Sequence, residues 1–175
     1  MAGLRLGLWM KYLAGFRLAP FVPTPEHVGL AMLKLAGVCP SDMVVDVGCG
    51  DGRLLISAAK HHGARGCGLE MDALLAKQAV SAIEREALAH MITVLHTDAL
   101  HASSQLQRAS VVTLYLSDAG NARLLPHLQR QLPQNARVVS FCWPFQDLTP
   151  SRIQRVDGIA LYLYDFNALH NSSPS

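Results

Sequence analysis

At 175 residues the chain can bury one α/β core and is too short for a separate substrate domain. Half of its residues are hydrophobic and only 16% are charged, which excludes a disordered protein apart from the polar end at Asn171–Ser175. With a formal net charge of +2 and no Lys/Arg run interleaved with aromatics, a nucleic-acid groove has no compositional support.

Residues 1–23 carry Arg5, Lys11 and Arg17 and no acid, the first carboxylate being Glu26. Acid-poor, Arg-bearing N-termini of this kind occur in mitochondrial targeting segments. The apolar stretch is too short for a membrane span, and the evenly spaced cations would be spread around a helix, so an ordinary N-terminal helix packed on the domain is the competing reading. Phe21-Val22-Pro23-Thr24-Pro25 then leads into a helix with Val28, Ala31, Met32 and Leu35 on one face and a stop near Gly37. Thr24 is the expected N-cap, with Pro25 as first helical residue.

The stretch VVDVGCGDGRLLI at 44–56 organises the chain. Val44, Val45 and Val47 predict a buried parallel strand that is cut off by Gly48. Gly48, Gly50 and Gly52 alternate with Cys49 and Asp51, giving a backbone that turns tightly and admits a ligand without Cβ interference. A helix follows at Leu54, Leu55, Ala58 and Ala59, with Asp51 as expected N-cap and Gly63 as expected stop. A second strand is expected at Arg65–Glu70, ending in an acid about twenty positions after the glycines, where nucleotide-binding βαβ units place a carboxylate on ribose hydroxyls. Any one glycine could be a simple turn and Glu70 a solvated strand end; together they read as a site. The dinucleotide fingerprint needs G-x-G-x-x-G, and its third-glycine position carries Arg53 here, so NAD is the weaker reading. Asp46, a carboxylate among valines, must find donors, and the loop amides are the expected ones; its first role is loop orientation and its second ligand contact.

Asp72 should cap a helix through Leu75, Ala79, Ala82 and Ile83, and Met91–His96 reads as a third strand followed by Asp98. Ser110–Leu116 predicts a fourth strand, and Leu125, Leu128 and Leu132 a helix that Pro126 starts or kinks. Arg137–Cys142 predicts a fifth, Trp143-Pro144-Phe145 a loop, and Ile153–Val156 with Ala160–Phe166 a hairpin across Asp157-Gly158. The four cysteines, Cys39, Cys49, Cys67 and Cys142, form no C-x-x-C pair and read as free thiols, and the scattered histidines suggest no metal site.

The pattern Asp46-x-Gly48-x-Gly50-x-Gly52 with Glu70 resembles the S-adenosylmethionine site of Rossmann-like methyltransferases. FVPTP at 21–25, DVGCGDGR at 46–53, LYLSDAGN at 114–121 and RVVSFCWPF at 137–145 occur in the order of one family, and over about residues 20–150 the chain resembles the small lysine methyltransferases of the adenine nucleotide translocase and ATP synthase c-subunit type. It departs from the usual pattern at Cys49, where serine is common, at Ser117, where proline is, and at Leu148, where tryptophan is.

The resemblance implies an α/β, Rossmann-like sheet of seven mostly parallel strands, its last strand antiparallel. It divides the chain into an N-terminal targeting or membrane-associated segment at 1–23, a methyltransferase domain at 24–168 and a disordered tail at 169–175. S-adenosyl-L-methionine is the implied cofactor, held by Thr24, Asp46, Gly48, Cys49, Gly50, Gly52, Glu70 and Asp98, although Asp98 serves equally as a cap for the next short helix. Asp118 and Asn121 are the catalytic candidates, placed to hold an acceptor amine, with Trp143 and Phe145 either as cation-binding walls or as ordinary core. The implied acceptor is a lysine on a mitochondrial, inner-membrane protein and not a nucleic acid. A cytoplasmic location, a small-molecule methyltransferase and a non-catalytic S-adenosylmethionine-binding assembly protein are the alternatives.

Overall fold

The structure, a computed structural model, describes residues 23–166; expectations for residues 1–22 and for the tail beyond 166 lie outside the described residues. Helix α1 (Glu26–Leu35) precedes the first strand, and two further helices, α2 (Arg53–His62) and α3 (Ala73–Arg85), alternate with β1 (Met43–Val47), β2 (Arg65–Glu70) and β3 (Ile92–His96). A 3-10 turn (Ala99–His101) and the short α4 (Ser103–Leu106) lead to β4 (Val111–Leu114), α5 (Asp118–Gln131) and β5 (Arg137–Phe141). The hairpin β6 (Arg152–Val156) and β7 (Ile159–Asp165) completes one seven-stranded sheet in the order β3-β2-β1-β4-β5-β7-β6. Strands β1 to β5 are parallel, and β7 is antiparallel to both of its neighbours.

Alternation along β1 explains the layers. Val45 and Val47 fall on the side covered by α4 and α5, with Leu106, Leu124 and Leu128, whereas Val44 falls on the side covered by α1, α2 and α3, with Met32, Leu55 and Ile83. A strand buried on both faces needs apolar residues at successive positions, which is why β1 and β4 read as runs and not as alternations. Truncating Leu124 or Leu128, both fully buried, to alanine would cost about 2–5 kcal/mol.

Local signals behave as their chemistry dictates where the partner is a few residues away. Asp72 caps α3 by accepting from the Leu74 and Leu75 amides, Gly63 closes α2 at φ 65°, and Asp157 and Gly158 turn the hairpin with φ of 52° and 79°. Two expected caps differ. The N-cap of α1 is Pro25 and not Thr24, and no side chain caps it. Gly52, at φ 79°, is the N-cap of α2, and Asp51 sits one residue earlier with Oδ1 accepting from the Arg53 amide at 3.3 Å. Helix α5 runs through Pro126, which is exposed. The lost bond would have gone to the carbonyl one turn back, on a face that water can satisfy.

The N-terminal edge of the sheet is closed by charge. Arg137 pairs with Asp42 and donates to the carbonyls of Ala36 and Gly37, while the Ser110 hydroxyl donates to Asp42 at 2.6 Å. Burial alone would raise the Asp42 carboxyl, but the Ser110 hydroxyl, the Cys39 amide and the Arg137 guanidinium together hold it below its usual range. No helix among the described residues is long and apolar enough to cross a membrane.

Candidate active site

Because β1 to β5 are parallel, their C-terminal ends share one edge, and the strand order reverses between β1 and β4. Open α/β sheets bind ligands at such a reversal, where consecutive loops leave toward opposite faces. Glu70 ends β2, the glycine loop follows β1, Asp98 follows β3, α5 begins after β4, and Trp143 follows β5. The edge therefore gathers every predicted site residue of the domain except Thr24, which arrives from the start of α1.

The glycine loop is a run of left-handed turns, with φ of 75° at Gly48, 57° at Gly50 and 79° at Gly52. A Cβ on Gly52 would also lie 3.2 Å from the Cβ of Ala79, so α3 approaches closely there. Four of the loop's amides find protein acceptors. Those of Gly48 and Cys49 donate to the Leu69 carbonyl at 2.8 and 3.2 Å, that of Gly50 to Glu70 Oε2 at 2.9 Å, and that of Gly52 to the Cys49 carbonyl at 2.9 Å. The first amide of α2 is taken by Asp51. These five amides are not free to cradle a pyrophosphate.

Two carboxylates are buried behind that loop. Glu70, 5% exposed, takes the Gly50 amide on one oxygen and the Asp72 amide on the other at 2.8 Å. Asp46, 7% exposed, does not turn to the loop amides as the sequence suggests; its Oδ1 accepts from Thr113 Oγ1 at 2.7 Å, from the residue in register on β4. Burial pushes the Asp46 carboxyl up to about 7, and the negative charges of Glu70 and Asp51 push the same way against the Thr113 hydrogen bond. Such a site is short of positive charge. S-adenosylmethionine, with a sulfonium, an ammonium and a ribose diol, brings what buried carboxylates lack, whereas a dinucleotide would add anions to anions.

The Cys49 side chain packs into the core and not toward a ligand. It is buried against β2, and a Cβ on Gly68 would lie 2.5 Å from its Sγ. Burial and then the charges of Asp46 and Glu70 push its thiol well up, so only the backbone of residue 49 faces the loop's function. Outside the loop, Arg53 donates through Nε and Nη2 to Asp51 and through Nη1 to the Thr24 carbonyl at 3.3 Å. Burial alone would raise Asp51, but that guanidinium holds it below its usual range. Thr24 is thus tied to the cofactor loop by its main chain. A cleft of about 520 Å³ lies beside this contact, lined among others by Glu26, Lys60, Arg85 and Glu86, and it reaches the loop only through Asp51 and Arg53.

Asp98 caps the 3-10 turn, its Oδ1 accepting from the Leu100 amide at 2.9 Å. Asp118 is exposed and accepts from Gln146 Nε2 at 2.8 Å. Asn121 is 1% exposed, and its Nδ2 donates to Ser140 Oγ at 3.3 Å and to the Trp143 carbonyl at 2.8 Å. Trp143 is 44% exposed, but Phe145 is core: its ring lies 5.0 Å from that of Tyr164, whose hydroxyl accepts from the Phe145 amide. Three contributors go unmarked in the sequence patterns: Arg53 as a tether, Thr113 and Ser140. A lone hydroxyl inside VVTL or RVVSF is the signal that was available, since a buried polar group must have a partner.

This geometry defines an S-adenosylmethionine-dependent methyltransferase with a Rossmann-like sheet. The ANTKMT methyltransferase domain model matches residues 46–152, and the chain belongs to that family. It is 32% identical over 150 residues to a protein-lysine N-methyltransferase of Saccharolobus islandicus, covering 83% of this chain and 92% of that one. It is 27% identical to the lysine N-methyltransferase of the ATP synthase c-subunit from Xenopus laevis, covering 88% of this chain and 66% of that protein. Among solved structures, an RNA methyltransferase from Salinibacter ruber in complex with S-adenosyl-L-homocysteine superposes with a TM-score of 0.80 at 37% identity, over 83% of this chain and 94% of that chain.

Proposed function

We propose that the chain is a protein-lysine N-methyltransferase whose acceptor is a mitochondrial, inner-membrane protein. The observation that carries the acceptor class is the exposed pairing of chemistry after β4 and β5, a carboxylate at Asp118 and an indole at Trp143, which suits an ammonium-bearing side chain. The activities of the archaeal and frog relatives support lysine; the Salinibacter structure supports the rival, RNA. The acid-free residues 1–23 support the organelle.

When bound, the cofactor supplies an electrophilic methyl group on a sulfonium. The chain's work is to align and to exclude water. Glu70, the glycine loop, Asp46 and Asp98 are the proposed holders of the cofactor, with Thr24 drawn over the loop by Arg53. Asp118 would orient the incoming lysine, whose solution pKa of about 10.4 must fall for the amine to arrive neutral, as a desolvated site next to positive charge makes it do.

Incubating the purified chain with methyl-labelled cofactor and mitochondrial membranes should label a protein, and hydrolysis should return methyl-lysine. Label found in RNA or in a metabolite would overturn the acceptor. A reporter fused after residue 25 should reach mitochondria, and a diffuse cytosolic reporter would remove the organelle from the proposal.

A further inference from the structure

At the end of β5 two buried polar side chains meet on one atom. Ser140 Oγ donates to the Trp143 carbonyl at 2.6 Å, Asn121 Nδ2 donates to the same carbonyl at 2.8 Å, and the Asn121 amide also reaches Ser140 Oγ at 3.3 Å. The carbonyl can only accept, so it fixes which end of the Asn121 amide faces it. The Trp143 amide is held as well, donating to the Phe141 carbonyl at 2.9 Å across a three-residue turn whose centre, Cys142, has φ 71°. Positive-φ turns of this type are strained for a residue with a Cβ. Asn121 Oδ1, meanwhile, is buried with no hydrogen-bond partner.

Two unfavourable features thus sit together, a left-handed cysteine and an unpaired buried acceptor. Both belong to one device, which ties down the amide and the carbonyl of Trp143 while its indole stays exposed. Strain and unsatisfied groups concentrate where a site must be pre-organised. The turn lies on the edge where the acceptor must approach, next to β4 in the sheet.

We propose that Ser140 and Asn121 are positioning residues for the acceptor: they clamp the Trp143 main chain so that its indole stands as a fixed platform for the cationic side chain to be methylated. This reassigns Asn121 from touching the amine to acting through Trp143. The choice of ligand rests on the lysine reading; the clamp rests on the hydrogen bonds alone.

The full chain carries two tryptophans, Trp9 and Trp143, so a Trp9→Phe background leaves one indole N–H resonance to follow. With S-adenosylhomocysteine present, n-butylammonium, the lysine side chain without its backbone, is expected to shift that resonance. Ser140→Ala should weaken n-butylammonium binding about two- to thirtyfold, the span of a cation held over an aromatic face, while the affinity for S-adenosylhomocysteine stays within about twofold. Asn121→Ala should do the same, and the double variant no more than either, because one carbonyl is shared. Equal loss of both ligands would make the network merely structural and overturn the proposal, as would an n-butylammonium affinity in Ser140→Ala equal to that of the parent. If neither buried variant folds, Trp143→Leu, on an exposed side chain, should abolish saturation transfer to n-butylammonium, and retained transfer overturns the platform. An indole that ignores n-butylammonium but answers a uridine oligonucleotide would sink the lysine reading while the clamp stands.

Discussion

Over β1 and β2 the C-terminal edge keeps two acids inside: Glu70 and Asp46 are buried and accept from backbone amides and from Thr113. Over β4 and β5 the same edge turns its chemistry outward, with Asp118 and Trp143 exposed and the buried Asn121 and Ser140 holding main chain. A small cofactor can be enclosed, so on the proposed reading its groups would be met by carboxylates already fixed in low dielectric. On the proposed reading the acceptor is attached to a protein and cannot be enclosed, so its groups would be met at the surface by side chains whose supports lie beneath. Charge shows the same contrast, since in the inner half it is frustrated until a cation arrives.

The largest expected effect tests that frustration. The Asp46 carboxyl sits near 7 in the folded chain against 3.8 in its ordinary state, so between about pH 4 and 7 the native state holds more protons than the unfolded one. Stability should therefore fall as pH rises through that window, by about 4 kcal/mol at most, and level off above it. Asp46→Asn should flatten the profile in pH-dependent denaturant melts. A cation beside Asp46 favours its charged form, so affinity for S-adenosylmethionine should rise with pH from about 6 to 8, and titration calorimetry of Asp46→Asn should show no such rise.

Glu70 comes next, and here binding and folding are entangled. Removing its carboxylate strands the Gly50 and Asp72 amides and, on the proposed reading, takes away the partner of the cofactor ribose, so Glu70→Ala should lose about 1–3 kcal/mol of stability for each stranded donor in addition to cofactor affinity. Glu70→Gln keeps one acceptor and should separate the two; cofactor binding about 1.5–3 kcal/mol weaker in calorimetry on a folded variant is the expected result. Unchanged affinity would leave Glu70 a loop brace only. In the outer half Asp118→Ala should be milder, about two- to fivefold in kcat/KM for the acceptor, because the carboxylate is solvated, and cofactor affinity should not move. A loss of cofactor affinity there would erase the distinction between the halves.

How much of this could be read in advance follows from the reach of each contact. The β2 span, the Asp72 cap, the Gly63 stop and the Asp157-Gly158 turn were legible because their causes lie within a few residues. The caps expected at Thr24 and Asp51 lie one residue early because proline and glycine set the backbone there and neither N-cap residue makes a side-chain cap hydrogen bond. The sequence points Asp46 to the loop amides because its actual donor, Thr113, is 67 positions away and becomes its neighbour only through strand register. Separation in sequence likewise hides the Arg53 tether to Thr24, 29 residues off, and the Ser140 clamp, which needs β5 and α5 placed together.

The contact between Cys49 and Gly68 reaches beyond this chain. Gly68 carries an ordinary strand backbone, so its glycine is demanded by space and not by torsion: a single methyl group there would meet the Cys49 sulfur at 2.5 Å and the Leu55 side chain at 3.1 Å. Positions 49 and 68 therefore share one fixed volume beneath the glycine loop. Among relatives they should vary as a pair: because the Cβ of residue 49 would itself lie 3.0 Å from that methyl group, replacing cysteine by serine makes too little room, and alanine at position 68 should be found only beside glycine at position 49.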